Sequence, residues 1–399
     1  MKVGIIREGK IKSDTRVPLT PKQCRYLLDN YRDLQIFVQP SQECCFSNEE
    51  YQNQGIPIRE NMEECELLLG VKEVPISMLI PQKTYLFFSH TIKKQPYNRE
   101  LLRSILQQKI RLIDYECLHD EYGKRVIAFG RWAGIVGGHN AILAWGRREG
   151  KFNLKPMHEC HDWEEAQTYY QNLPLFNIKL VVTGEGRVAS GAIEVLDKMK
   201  IKRITPQEFL EHSSSEPVYT QLAVKDMYRL QGEQNFDESH YYQHPEEYIS
   251  SFEPYAHTAN IMLNGIYWDK RIPAFFSKED MKRKDFTIRV IADVTCDIAP
   301  DSSIPSTIKA SSITNPIYGY DPLLSKETEP FQNHCIDIMA VDNLPNELPR
   351  DASQDFGNQL ITQVWSQLNQ ADSRMIYEGT IAFDGKLNKP YEYLTDYVN

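Results

Sequence analysis

The stretch Asn177-Ile-Lys-Leu-Val-Val-Thr183-Gly184-Glu-Gly186-Arg187-Val188-Ala189-Ser-Gly191 decides the fold class. Its first half is a β-branched apolar run, the pattern of a buried strand. The run passes without a linker into Gly-x-Gly-x-x-Ala and then into a helical pattern at Ile193–Met199. A strand, a tight glycine turn and a helix in that order form the dinucleotide-binding fingerprint. Gly184 permits the turn, and Gly186 lets the backbone approach a pyrophosphate. Ala189 keeps the helix close to the strand, and the first-turn amides, those of Arg187 and Val188 among them, offer a site for the anion. The competing reading is a structural turn that holds no nucleotide.

Outward from this turn, apolar runs at Val218–Leu222, Asn260–Leu263, Thr287–Val294 and Ile336–Val341 continue the strand pattern. In open α/β sheets, ligands lie beyond the carboxyl ends of the strands. Asn264 and the run Ala292-Asp293-Val-Thr295-Cys-Asp297 fall there, so Asn264 and Asp297 join the candidate cofactor contacts. For either aspartate the plain alternative is a turn or helix cap. One part of the fingerprint is missing: an acid for the ribose 2′-hydroxyl should close the next strand about 20 residues on. That stretch reads Lys200-Ile-Lys202-Arg203-Ile-Thr205-Pro206. Cations without an acid lean toward a 2′-phosphate, so NADP(H) is expected ahead of NAD(H).

Upstream, Val3–Ile6, Gln35–Val38, Leu67–Gly70, Thr84–Ser89 and Ile110–Asp114 read as strands, with helical patterns at Pro21–Asn30 and Arg99–Gln108. This alternation predicts a second α/β unit with a mainly parallel sheet. Ile127–Gly146, rich in Ala and Gly, predicts a helix packed closely on a neighbour. The aromatic, polar stretch 231–255 reads as an insertion or lid, and Arg350–Gln370 as a long amphipathic helix returning to the first domain. The expected fold is two Rossmann-like α/β domains flanking a central cleft. Residues 1–129 with 353–399 form a substrate domain, and 130–352 the dinucleotide-binding domain.

Charged and polar residues recur at the strand ends of the first domain: Arg16, Lys72, Glu73, His90, Lys93, Gln95, Glu116 and Arg125. A single Lys or Arg is more often a solvated surface charge. Their repetition at one kind of position points to a site. The composition, 41% hydrophobic and 25% charged, excludes wholesale disorder. A net charge of −10 argues against nucleic acid or an anionic membrane as partner and leaves small molecules. Eight scattered cysteines without a C-x-x-C pair suit a reducing compartment. With no apolar leader or span in the sequence, the expected location is the cytoplasm. His158-Glu-Cys160-His161 has no second cluster to complete a tetrahedral site, so no metal is expected. The oligomeric state is not legible.

Together these segments resemble the lysine–ketoglutarate reductases, the lysine-forming saccharopine dehydrogenases, and more distantly alanine dehydrogenase and transhydrogenase domains. The resemblance rests on Arg16-Val-Pro-Leu-Thr-Pro21, Leu69-Gly-Val-Lys72-Glu73, Phe87-Phe-Ser-His90-Thr and Ala128-Phe-Gly130-Arg-Trp-Ala-Gly134. It continues through His244-Pro-Glu-Glu-Tyr248, Leu263-Asn-Gly-Ile-Tyr-Trp268, Ala292-Asp-Val-Thr-Cys-Asp297 and Val341-Asp-Asn-Leu-Pro345. It implies reductive coupling of lysine with 2-oxoglutarate through an imine. Matched residue by residue, Lys72 would take the proton of the amine and His90 would serve the carbinolamine. Arg16 and Arg125 would hold carboxylates, while Glu73, Lys93, Gln95 and Glu116 would line the cleft. Asp297 would lie beside the nicotinamide. The chain departs from the pattern at Asp301-Ser-Ser-Ile-Pro305, where the reductase halves of bifunctional enzymes carry Gly-Gly-Ser-Ile-Glu, and it matches poorly over 135–176. The alternatives are an alanine-dehydrogenase-like or other opine-type enzyme, and a nucleotide sensor without catalysis.

Overall fold

A computed structural model describes residues 1–9, 14–175, 177–213, 215–232, 236–368, 370 and 372–399. Its strands, in chain order, begin with β1 (Lys2–Ile5), β2 (Gln35–Val38), β3 (Leu67–Leu69), β4 (Thr84–Phe87) and β5 (Arg111–Asp114). There follow β6 (Lys179–Thr183), β7 (Lys202–Arg203), β8 (Val218–Leu222), β9 (Tyr228–Leu230), β10 (Tyr248–Ser250), β11 (Ile261–Asn264) and β12 (Val290–Asp293). The last are β13 (Ile317–Asp321), β14 (Lys326–Thr328), β15 (Ile336–Met339), β16 (Thr380–Phe383) and β17 (Lys386–Leu387). The chain divides into two compact units, Met1–Phe129 with Pro349–Asn399, and Gly130–Leu348.

The first unit holds one mixed sheet in the order β17-β16-β5-β4-β3-β1-β2. The strands β1 through β5 run parallel, and β16 and β17 close the sheet antiparallel. The parallel strands are almost wholly apolar because both faces of the sheet are buried. Thr20-Pro21 starts a helix by ordinary capping chemistry. Thr20 and Gln23 form a capping box, and Pro21 opens the first turn, where its missing N–H costs nothing. The register sets Ile5 beside Leu69, Leu69 beside Leu86, and Phe87 beside Asp114. The carboxyl ends of four neighbouring strands are therefore level. The expected C-terminal helix is present as Pro349–Gln359, a wider π-helical turn at Leu360–Trp365, and Ser366–Leu368. Position 369, in the predicted range, lies outside the described residues. Phe356, Leu360, Val364 and Trp365 from this helix sit in the first unit's core with Val3, Ile5, Leu69 and Phe88.

The second unit has the order β14-β13-β15-β12-β11-β6-β8-β7. All pairings are parallel except those of β13 with β14 and β15. The chain leaves β6 toward β8 on one side and reaches β11 on the other, so the end of β6 is a topological switch point. The Ala/Gly-rich segment forms the helix Gly130–Glu149, packed on the helix Arg187–Lys198. Their backbones nearly touch: a Cβ on Gly134 would lie 1.9 Å from the Val188 carbonyl oxygen, and one on Gly191 would lie 2.0 Å from that of Arg131. The insertion is ordered where it is described, as a β9–β10 hairpin with the helix Glu238–Gln243; 233–235 are not described. Tyr228, Tyr241, Tyr248 and Phe252 bury their rings in the second unit's core. Tyrosine rings spaced along a polar stretch hide this packing from a reading of periodicity.

One sequence expectation is corrected. The strand beside β6 is β8, not the segment Lys200–Pro206. That segment supplies only β7, whose two residues are exposed at the sheet edge. Val218-Tyr-Thr-Gln-Leu222 offers the apolar faces that a position next to β6 buries, and Lys202-Arg203 does not.

Candidate active site

In the first unit, Lys72 and Glu73 follow β3, Ser89 and His90 follow β4, and Glu116 follows β5, all at the level carboxyl ends. His90 Nδ1 lies 2.8 Å from Glu73 Oε1, and Glu73 is itself buried. The imidazole stacks on Phe88 with ring centroids 6.2 Å apart. His90 holds a left-handed backbone, φ 52°, a conformation uncommon outside glycine and concentrated at functional sites. Pairing at Nδ1 orients the ring and leaves Nε2 for proton exchange.

Glu116 sits between two cations, with Arg125 Nη1 at 3.6 Å and Lys93 Nζ at 3.8 Å from Oε1. Its side chain is 18% exposed, and its Oε2 is buried without a hydrogen-bond partner. A buried carboxylate oxygen in that state is costly unless a donor arrives. Gln95 is engaged elsewhere, its side-chain carbonyl accepting the Tyr97 hydroxyl at 2.6 Å.

Arg16 is 3% exposed and is gripped by Asp14, with Nε to Oδ1 at 2.9 Å and Nη2 to Oδ2 at 2.5 Å. Its guanidinium lies 4.1 Å from the centre of the Phe129 ring. Burial opposes the Asp14 charge. The Arg16 guanidinium outweighs it, with Lys72 adding, so the carboxyl stays below its ordinary range. Glu8, Asp14 and Arg16 help line a small pocket of about 20 Å³.

Three further residues shape this site, and two of them, Glu8 and Asp14, escaped the sequence reading. Glu8, beyond β1, accepts from the Val71 amide at 2.7 Å and from the Lys72 amide at 2.9 Å. Burial and the nearby Asp14 charge push its carboxyl up from 4.5 to about 8. Asp14 is the partner of Arg16. Asp114, the last residue of β5, accepts from the Ser89 amide at 2.9 Å, from the Ser89 hydroxyl at 2.5 Å and from the Glu116 amide at 2.7 Å. It brackets the turns that present His90 and Glu116, and burial raises its pKa. Asp114 was legible as a polar residue closing an apolar strand. Glu8 and Asp14 flank 10–13, and nothing in their spacing announces a role.

In the second unit, the Gly184–Gly186 turn has the shape its glycines imply. Gly184 has φ 92°, and a Cβ there would lie 3.0 Å from the Gly265 carbonyl oxygen. At Gly186 a Cβ would meet nothing within 4 Å, which leaves the approach to the helix Arg187–Lys198 open. That open, amide-lined turn at a switch point fits a dinucleotide pyrophosphate. Arg187 and Val188 are half-buried in the first helical turn. Asn264 proves to be the last residue of β11, with its side chain fully buried. Its Oδ1 accepts from Thr183 at 2.8 Å, and its Nδ2 donates to Asp293 and Ser303, each at 2.9 Å. Asp293 also accepts from Thr295 and Thr307, so this network ties the ends of β6, β11 and β12 together. Asp297 is half-buried and follows Cys296, which has φ 54°. Gln221 in β8 donates to the Gly184 carbonyl at 2.9 Å and accepts from Arg203 at 2.7 Å.

Among the described residues, no helix is long and apolar enough to cross a membrane. Residues 4–136 match the family model of the alanine dehydrogenase/PNT N-terminal domain. The chain is 30% identical, over 98% of its length, to the α-aminoadipic semialdehyde synthase of Arabidopsis thaliana, covering 41% of that protein. To the mitochondrial enzyme of that name in Rattus norvegicus it is 29% identical over 98% of its length, covering 47%. The chain thus spans less than half the length of these two relatives. It is 24% identical over 94% of both chains to the NAD(+), L-lysine-forming saccharopine dehydrogenase of Candida glabrata. Its fold is that of an L-alanine dehydrogenase structure, with a TM-score of 0.65 at 15% identity over the whole of both chains. A Sinorhizobium meliloti transhydrogenase structure covers 97% of it with a TM-score of 0.57 at 10% identity.

Proposed function

Because the chain resembles the lysine-forming saccharopine dehydrogenases along nearly its whole length and opens with an alanine dehydrogenase/PNT N-terminal domain, we propose that it is an NAD(P)-dependent oxidoreductase coupling lysine to 2-oxoglutarate. The product is saccharopine, formed by reducing the imine between the ε-amine and the keto carbon. The observation that carries this reading is the bonding of His90 to Glu73, the neighbour of Lys72, at level strand ends.

In this reading Lys72 removes the proton from the ε-ammonium, and Glu8 fixes the Lys72 backbone through its amide. His90, oriented by Glu73, passes a proton through Nε2 as the carbinolamine loses water. Arg16, Arg125 and Lys93 draw the substrate carboxylates, and Gln95 adds a polar contact. Glu116 takes a hydrogen bond from the amine side and balances the cations around it. The Gly184–Gly186 turn, with Arg187 and Val188, would hold the pyrophosphate. Asn264 stiffens the strand ends, and Asp297 would contribute to holding the nicotinamide. When bound, the reduced nicotinamide supplies the hydride.

NADP(H) remains our proposal over NAD(H), now through β8 and β7. Asp226, beyond the end of β8, caps its own turn on the Ala223 amide, while Arg203 reaches Gln221 beside the glycine turn. Arg203→Glu is expected to raise the KM for NADPH about tenfold and leave that for NADH within twofold, the scale of one charge-assisted contact.

The test follows NADPH and NADH absorbance with lysine plus 2-oxoglutarate, then with other amines and oxo acids. Turnover confined to ammonia and pyruvate would replace this reading with an alanine-dehydrogenase-like one, which the shared fold favours as the second choice. Lys72→Met is expected to slow turnover far more than it weakens nucleotide binding, and equal losses would contradict the role given to Lys72.

A further inference from the structure

Two consecutive cysteines, Cys44 and Cys45, lie between β2 and the helix Asn48–Asn53, and the mechanism above does not use them. Neither is bridged, and both are partly exposed. Of the other six, five are buried, and Cys296 donates its thiol to the Ala340 carbonyl. The pair is wired to the Arg16 segment on several sides. The Cys45 amide donates to the Thr15 carbonyl at 2.8 Å, and the Cys45 carbonyl accepts from Arg350 at 2.6 Å. Cys45 Sγ lies 3.9 Å from Ser353 Oγ, which accepts from the Val17 amide at 2.9 Å. Cys44 lines the same small pocket as Glu8, Asp14 and Arg16. The thiols also act on one another. The neighbouring Cys45 holds Cys44 below its ordinary pKa, while Cys44 and burial push Cys45 far above. A thiolate-prone sulfur beside a protonated one is the pairing that oxidation needs, a nucleophile next to a resolving thiol.

We propose that Cys44 and Cys45 form an oxidative-modification site, at which a hydroperoxide closes a vicinal disulfide and weakens substrate carboxylate binding at Arg16. This rests on the assignment of Arg16 to a substrate carboxylate. The Cys44 thiolate attacks a peroxide oxygen and the O–O bond breaks. The departing oxygen takes up a proton and leaves as water when the oxidant is hydrogen peroxide. Cys44 is then a sulfenic acid. Cys45, giving up its proton, attacks that sulfur; the S–O bond breaks, the S–S bond forms and a second water leaves. Two thiols lose two electrons in all, and the peroxide gains them. Adjacent Cα atoms stand about 3.8 Å apart across a trans peptide, whereas disulfides ordinarily span about 4.4–6.8 Å. Closure therefore has to reshape the Cys44–Cys45 backbone, which moves the amide held by Thr15, one residue from Arg16. A strained, partly exposed disulfide of this kind is readily reduced, which makes the change reversible.

The experiment treats the intact protein with hydrogen peroxide and maps its peptides by mass. It then measures 2-oxoglutarate and NADPH binding by calorimetry, before and after dithiothreitol. The expected result is the loss of two hydrogens from the peptide holding Cys44 and Cys45, with 2-oxoglutarate bound about tenfold more weakly, the scale of one hydrogen bond to a charged group. NADPH affinity stays unchanged, and dithiothreitol restores the rest. Cys44→Ser and Cys45→Ser, each compared with its own untreated state, lose the response. A response in either variant as large as that of the unsubstituted protein, a disulfide without effect on 2-oxoglutarate, or no disulfide at all would overturn the proposal. Inactivity toward lysine would count against the proposed reaction alone, since neither the mapping nor the binding depends on turnover.

Discussion

Glu8 ties the site's backbone to the pH of its surroundings. Its carboxyl titrates near 8 in the folded chain against 4.5 when free. A folded pKa above the unfolded one means that the native state holds the proton more tightly, so the stability it brings is complete below about 4.5 and is lost as pH rises through about 8. Glu8→Gln, which cannot ionise, removes this dependence, although it gives up one of the two backbone amides that the carboxyl oxygens accept. Melting temperatures of the two proteins are expected to diverge between pH 5 and 8, with the variant holding its own; parallel curves would contradict the assignment. At the same scale, His90→Ala is expected to lower kcat by about 10²–10⁴-fold, the ordinary worth of a positioned acid–base group. Glu73→Gln should shift the pH at which turnover is half-maximal more than it alters nucleotide affinity. The sequence displayed Lys72, Glu73, His90 and Glu116 because each closes an apolar run. It hid Glu8 and Asp14, whose importance comes from strands far apart in the chain meeting at one level.

Among elements, strands were the most legible, since four or five buried β-branched or leucine residues leave little choice. The Gly184–Gly186 turn and the Gly-rich helix were legible for a related reason: small residues in a row signal close backbones. Gly134→Ala is expected to cost about 3 kcal/mol or more, the upper end for overpacking, because its Cβ would strike the Val188 carbonyl at 1.9 Å. A melting temperature unchanged by that substitution would mean that the helix pair Gly130–Glu149 and Arg187–Lys198 is looser than described. Gly184→Ala should instead weaken nucleotide binding, since the turn's positive φ has to change. The order of β7 and β8 was not legible. Which strand lies beside β6 is decided by burial against the sheet, and no spacing rule along the chain carries that information. The hairpin β9–β10 was likewise hidden, the stretch 231–255 reading only as an insertion or lid.

For the whole molecule, the sequence showed two α/β regions and a helix returning at Arg350–Gln370. It did not show β16 and β17, which are short and flanked by turns. Their consequence is large, because β16 pairs with β5 and completes the first sheet. Removing 349–399 strips Phe356, Leu360, Val364 and Trp365 from the first core and uncovers the edge of β5. Such a truncation is expected to unfold or aggregate the first unit. The second unit, Gly130–Leu348, should keep its cooperative melting and nucleotide binding, because it is a compact unit that contains none of the removed residues. Loss of both units together in calorimetry would show that they do not fold independently.

The split of the first unit also sets a timetable. As the chain emerges during synthesis, β1 to β5 are exposed long before β16 exists, and every residue of Gly130–Leu348 is made in between. The second unit can therefore finish folding while the first still waits with an open edge and a core lacking one wall. Domains generally fold as units, and unpaired strand edges are where nascent chains go astray. The segment Met1–Phe129, although made before the second unit, completes its sheet and core only after it, and in a cell short of chaperones it is the part expected to fail first.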